Sequence, residues 1–467
     1  MNASHTYPRA SSRGAGASLL AALLLGAAPA GANGRFPTAQ DVVVGPGARS
    51  DVIVLRTTFG LVMSRDAGAT FHWMCEAQIY RPLFLTGEVD PSIAVAADGS
   101  VVYGFPQGIH LSPDGCRVAR DPAAMGHHIA DLTTDPSGER LFAIESDPGG
   151  VNHVLRADAR TLLFERLGAG VAGVLFTNLD VAASRPGRLY ASGFEAGTRA
   201  PRIFRSDDGG ATLVPLSPDL GPADDAWLSG VDPTDPEVLY VRSYMGGVST
   251  ALLRSADGGA HFTRVASTRG PMLGFALSDD GRTVWIGSAE DGLLRSDDRG
   301  LSFVQVSNLP TLCLRQHAGV LWACSDWTRR PFALGRSRDG GRTFEPVVRW
   351  ADVAGPFTCD PSLMGPIVCG WQWPGLQDQL QRVADAGAGA GAVWEELPPV
   401  AFDAGMRGDA GVSSPGGGGC SVGGGRAGSV AVRWCAAGLL AAWLRRRAKS
   451  GGRVPERHPG ASNPSKE

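Results

Sequence analysis

At 467 residues the chain can hold several domains, and its 64 Gly and 32 Pro suit short strands and tight turns better than long helices. A formal net charge of −3, with no Lys/Arg stripe between the termini, excludes electrostatic binding of nucleic acid.

Residues 1–32 read as an export signal. Arg9 and Arg13 precede an apolar stretch at 15–28, and Ala28-Pro29-Ala30 and Ala30-Gly31-Ala32 are small-x-small cleavage sites. From 33 to 400 one phrase keeps returning, Ser-x-Asp-x-Gly followed by Thr or a substitute and then Phe or Leu. Its five clear copies carry Ser64, Asp66 and Gly68; Ser206, Asp208 and Gly210; Ser255, Asp257 and Gly259; Ser296, Asp298 and Gly300; and Ser337, Asp339 and Gly341. Weaker copies stand at Ser112 with Asp114, at Ala157-Asp158, and at Ala384-Asp385-Ala386-Gly387. Placed by their serine-equivalent residues, the copies are separated by steps of 41 to 50 residues. Each unit has the same grammar, shown by 274–277, 283–287, 292–295 and 303–306: a first strand, a turn, a second strand, a third running into the phrase and a fourth leaving it. Four short strands in about 45 residues is the pattern of a β-propeller blade. The expected fold is therefore all-β, a propeller of eight four-stranded blades, with seven as the alternative. The phrase itself is a turn device. Its Asp accepts backbone N–H groups, its Gly permits positive φ, and its terminal aromatic or Leu buries between blades.

Six Cys fall in this region, and an even number in an exported chain favours disulfides. Spacing predicts Cys313–Cys324 and Cys359–Cys369, each within a repeat, which leaves Cys75 to pair with Cys116. No C-x-x-C spacing or nearby His supports zinc. Residues 401–426 read as a Gly/Ser/Pro-rich linker containing Cys420. An apolar helix with the cluster Arg445-Arg446-Arg447 is predicted over 427–447, and 448–467 is a polar, disordered tail.

The five clear copies resemble the Asp-box, or BNR, repeat of sialidases, sortilin-type receptors, xyloglucanases and photosystem II assembly factors. That resemblance implies that the boxes lie on the outer rim and are structural. The order of Gly-rich linker, Cys, apolar helix and Arg cluster resembles the MYXO-CTERM sorting signal over about 415–447. It implies cleavage near Cys420, which then carries a lipid at the cell surface.

The Asp-box raises the question of a sialidase, which needs an arginine triad, a Tyr–Glu pair and an Asp acid. Arg35-Phe36-Pro37 stands where the first arginine is expected but hugs the cleavage site, and Tyr190 and Tyr240 recur at matched places, as packing residues do. Tyr244, like them, falls on or beside a second strand. Asp90, Asp131, Asp180 and Asp232 lie near first strands and approach the axis, but turn capping and edge solvation account for them. The pair His127-His128, with His110 and His153, has no metal-ligand spacing. Asp207-Asp208 and Asp224-Asp225 offer oxygen ligands for calcium without an EF-hand pattern. Trp371 and Trp373, with Trp327, suit either a sugar-stacking patch or burial between blades, burial being the commoner fate. No catalytic residue and no cofactor is assigned. The leading expectation is an exported, surface-anchored, monomeric, non-catalytic propeller that holds a protein or glycan partner on its loops. The alternative is a secreted glycoside hydrolase with carboxylates in the central channel, and a weaker one is an assembly factor for a membrane complex.

Overall fold

The computed structural model describes residues 35–80, 90–221, 225–245, 249–325 and 332–389. The chain divides into units 1–406 and 407–467, and every described residue belongs to the first. The expected export signal, linker, Cys420, apolar helix and polar tail lie outside the described residues.

Seven four-stranded antiparallel sheets follow one another, each made of four consecutive strands, over 39–75, 92–120, 129–172, 174–216, 227–268, 272–307 and 311–348 (blades 1 to 7). The second strands are the most apolar and buried: Val101–Phe105 and Val284–Ser288 are buried at every position. Outer strands such as Val214–Leu216 are largely exposed. The period of two along each strand explains the packing. In blade 1, Ile53 and Leu55 face a core shared with blade 7, whereas Val52 and Val54 face one shared with blade 2. Seven such cores, one at each junction, hold the ring together.

The repeated phrase forms the corner between third and outer strands. In blade 6, Ser296 Oγ donates to Asp298 Oδ1 at 2.6 Å and accepts Gly300 N–H at 2.8 Å, while Asp298 accepts the N–H of Ser302 at 2.9 Å. The same bonds recur around Ser64, Ser206, Ser255 and Ser337. Gly300 sits at φ +77°, with Tyr240 of the preceding blade where a Cβ would go, so both conformation and close approach require glycine. In blade 2, Asp114 accepts the N–H groups of Cys116 and Arg117. In blade 3, Asp158 caps a corner that has no serine. The Thr70 hydroxyl, with its N–H and the Ser64 hydroxyl, holds Asp66 down to about 2.

The ring has seven blades, the alternative, and not the eight of the first expectation. Among the described residues the predicted eighth unit forms no blade, because Met364–Gly389 form a helix, α2; a short helix, α1 (Glu76–Tyr80), follows blade 1. Cys369, Leu376, Leu380 and Val383 are buried from it, at helical and not strand spacing, in the core where blade 7 meets blade 1. The segment before α2 runs as a strap along the outer edge of blade 1: Trp73 N–H donates to Gly355 O at 2.7 Å and Ala354 N–H to Phe71 O at 2.9 Å. Trp350 meets Phe59 edge-on at 5.2 Å between centroids, and Trp373 packs on Trp73 at 5.7 Å.

This strap corrects two disulfides. Cys75 is bonded to Cys369 and Cys116 to Cys359, not Cys75 to Cys116 and Cys359 to Cys369. The expectation placed Cys359 and Cys369 on neighbouring strands of an eighth unit, and the strap instead carries them back over blades 1 and 2. Cys313 and Cys324 are bonded to each other across the first two strands of blade 7. Three disulfides belong to a chain that folds in an oxidising compartment.

Substituting Ser296→Ala strands the buried Gly300 N–H and removes one of the donors to Asp298. We expect a loss of about 1–3 kcal/mol in unfolding free energy by chemical denaturation. An unchanged midpoint would show that the corner does not depend on the serine.

Candidate active site

The inner strands of the seven blades, Ala39–Val44, Ser92–Val95, Ile129–Thr134, Val174–Val181, Trp227–Val231, Met272–Leu277 and Thr311–His317, enclose an axial cavity of about 740 Å³. Its wall is charged: Asp41, Asp131 and Asp180 face it together with Arg56, Arg242 and Arg315.

Register assigns these groups to layers. Counting along each second strand from the residue opposite the corner, the fourth residues are Arg56, Ile144, Ser192 and Arg242 in blades 1, 3, 4 and 5. Their inner-strand partners are Asp41, Asp131, Asn178 and Trp227. Asp41, Asp131, Asn178, Arg56 and Arg242 therefore share one layer. Asp180, opposite Tyr190, and Arg315, opposite Trp322, share another, two residues nearer the corner end of the second strands.

An inner strand pairs with its own blade on one edge only, and the carboxylates satisfy part of the other edge. Asp131 accepts the N–H of Leu132 at 2.9 Å and that of Leu179, on the next blade, at 3.0 Å. Asp180 repeats the brace one blade on, accepting Val181 N–H and Val231 N–H, both at 2.9 Å. Asp41 accepts Val42 N–H at 2.8 Å. The two arginines also act between blades, since Arg56 Nη1 donates to Pro91 O at 3.3 Å and Arg242 Nη1 to Met272 O at 3.0 Å.

Burial pushes Asp131 up to about 7; its two N–H bonds oppose this, and the charges of Asp180 and Asp41 add to it. Burial also raises Asp180, against the N–H groups of Val231 and Val181 and the charge of Arg315. The Arg242 guanidinium is pushed down by burial, with Arg56 adding to the effect. Asn178 Oδ1 and the Nε atoms of Arg56 and Arg242 are buried without a hydrogen-bond partner. The layer thus sets a carboxyl poised to hold its proton near neutrality beside a second carboxylate and two cations, the parts of an acid–base site.

The other sequence candidates separate from this layer. Asp90 is clamped by Arg35 through two 2.7 Å bonds. Asp232 caps the turn at Thr234 and Asp235 and pairs with Arg299. The hydroxyls of Tyr190 and Tyr240 donate to Pro236 O and Arg299 O of the following blades, and Tyr244 N–H donates to Asp225. Asp207 binds Arg188 and Arg205, and Asp208 belongs to a corner. Asp224 and Trp327 lie outside the described residues. Trp371 is 75% exposed on α2. His110 is buried against Tyr103 and Phe105. His127 Nδ1 bonds Asp147 at 2.6 Å and His153 Nδ1 bonds the buried Glu145 at 3.0 Å, both on blade 3. Among the described residues no group of three or more His, Cys, Asp or Glu is placed to hold a metal ion. Sequence reasoning missed Asp41, Arg56, Arg242 and Arg315. The signal was present for two of them, an Arg interrupting an apolar second strand at the same position in blades 1 and 5.

No family model matches the chain. It is 30% identical over 181 residues to a "probable oligoxyloglucan-reducing end-specific xyloglucanase" of Neosartorya fischeri, an alignment that takes in 32% of this chain and 21% of that protein. The chain thus spans about a fifth of the length of this relative. Among solved structures, the GH74 enzyme of Niastella koreensis is 15% identical with a TM-score of 0.35, over 66% of this chain and 63% of that one. The GH74 xyloglucanase of Xanthomonas campestris is 16% identical with a TM-score of 0.33, over 69% and 65%. The hydrazine synthase of Kuenenia stuttgartiensis is 10% identical with a TM-score of 0.46, over 66% and 97%. The likeness to a xyloglucanase overturns the expectation of a non-catalytic binding propeller.

A carboxyl raised from 3.8 to about 7 keeps its proton in the fold while the unfolded chain loses it. Its contribution to stability therefore falls as pH rises from about 4 to about 7 and is level above that. Thermal scans of Asp131→Asn against wild type test this. The melting temperature of the variant, relative to wild type, rises between pH 4.5 and pH 8, and an equal difference at the two pH values would contradict the assignment.

Proposed function

We propose that this chain is an exported glycoside hydrolase acting on xyloglucan-type polysaccharide, with its site in the axial cavity. The identity of 30% over 181 residues to a xyloglucanase carries the reading. The charged wall of the cavity supports it, since hydrolysis of a glycosidic bond by the common route needs two carboxyl groups of opposite protonation. Asp131 is the general acid that protonates the leaving oxygen. Asp41, in the same layer, is the second carboxylate, and Arg56 and Arg242 are placed to hold sugar hydroxyls. The corner phrases are Asp-boxes in this reading, rim structures that take no part in chemistry. The Cys420 tail is a MYXO-CTERM-type signal that places the monomeric enzyme at the cell surface, and no cofactor is required.

Purified full-length chain incubated with xyloglucan and a panel of other β-glucans tests the proposal by release of reducing ends. We expect products from xyloglucan, a rate that declines above about pH 7 as Asp131 ionises, and a loss of about 100-fold or more in Asp131→Asn and Asp41→Asn. Variants that stay folded and keep full activity would remove the cavity carboxylates from the reaction. Absence of product from every glucan would overturn the reading itself.

A further inference from the structure

We infer that this chain is a client of a thiol–disulfide isomerase: its native bridges arise by exchange from a first set in which Cys75 is bonded to Cys116 and Cys359 to Cys369. The native bridges are nested, joining Cys75 to Cys369 across 294 residues and Cys116 to Cys359 across 243. A chain that enters an oxidising compartment N-terminus first exposes Cys75 and Cys116 together, 41 residues apart, long before Cys359 arrives. Loop closure also favours the short bridges, by about 20-fold for Cys75–Cys116 over Cys75–Cys369 and about 100-fold for Cys359–Cys369 over Cys116–Cys359. The native pairs win only once the ring has closed and the strap has docked.

The folded structure sets one side chain, Gln78, between the two bridges. Gln78 Nε2 donates to Gly115 O at 3.0 Å and to Cys116 O at 2.9 Å, and Gln78 Oε1 lies 3.3 Å from Cys369 Sγ. Cys75 N–H points to Cys369 Sγ at 3.3 Å. Cys75 and Cys369 are fully buried, whereas Cys116 and Cys359 are partly exposed. The exchange is redox-neutral. An isomerase thiolate attacks Cys116 Sγ, forming a mixed disulfide and releasing the Cys75 thiolate. That thiolate attacks Cys369 Sγ, forming Cys75–Cys369 and releasing the Cys359 thiolate. Cys359 then attacks Cys116 Sγ of the mixed disulfide, forming Cys116–Cys359 and returning the isomerase thiolate. The bridge closed last is the accessible one, where a catalyst can reach. Cys313–Cys324, 11 residues apart, forms directly and is the internal control.

The test is expression of the full chain in hosts that keep their disulfide-forming oxidase and either keep or lack isomerase. Early acid trapping, alkylation and non-reducing peptide mass spectrometry read the bridges even where misbridged chain is later degraded. We expect Cys75–Cys116 and Cys359–Cys369 to predominate without isomerase, at least 10-fold over the native pair, with Cys313–Cys324 unchanged. Adding isomerase to the trapped, unalkylated chain converts it to the native set. In the double variant Cys116→Ser, Cys359→Ser no exchange is needed, so Cys75–Cys369 forms with or without isomerase. Native bridges at full yield without isomerase would overturn the inference, as would loss of Cys313–Cys324 in parallel with the other two.

Discussion

Seven sheets packed face to face make a ring only if the last meets the first, and each blade here takes its four strands from one continuous stretch. No strand is therefore shared across the seam. The strap that follows blade 7 supplies the tie instead. Together with α2 it adds backbone hydrogen bonds to the free edge of blade 1, sets Trp350 and Trp373 against Phe59 and Trp73, and carries two disulfides to blades 1 and 2. Bridges closing loops of 243 and 294 residues restrict the open chain strongly. The closed ring creates the axial cavity, so the candidate site depends on the same contacts.

Closure also sets the chemistry at the axis. Seven inner strands present unpaired edges to a confined space, and polar side chains must answer them. Asp131 and Asp180 do so by reaching across a blade boundary to the next strand. The same placement removes water from the carboxyls, which raises both above the ordinary carboxylate range, and the charges of Asp180 and Asp41 add to the effect on Asp131. One arrangement thus serves as an inter-blade brace and as a proton-holding acid.

Much of this was legible in the sequence. The Ser-x-Asp-x-Gly phrase gave the blade corners because its hydrogen bonds are local, closing within five residues. The eighth unit misled because Ala384-Asp385-Ala386-Gly387 matches the phrase in letters, while Leu376, Leu380 and Val383 carry the helical period that decided the segment. Two of the three disulfides were misassigned for the same reason, since nearness in sequence stands for nearness in space only when both cysteines lie in one blade. Asp131 and Asp180 were visible as candidates near the axis. Their raised proton affinity was not, because it comes from burial in the closed ring and, for Asp131, from carboxylates on other blades. Asp41 and Arg242 belong to one layer only through register, which no single strand displays.

The central claim is that the axial cavity is where the chain meets its substrate. A crystal structure of the full chain with a xyloglucan-derived oligosaccharide tests it most directly. The account predicts a sugar inside the ring, with a glycosidic oxygen about 3 Å from the Asp131 carboxyl and hydroxyls on Arg56 and Arg242. An oligosaccharide ordered elsewhere on the surface, with the cavity holding only water, would contradict it.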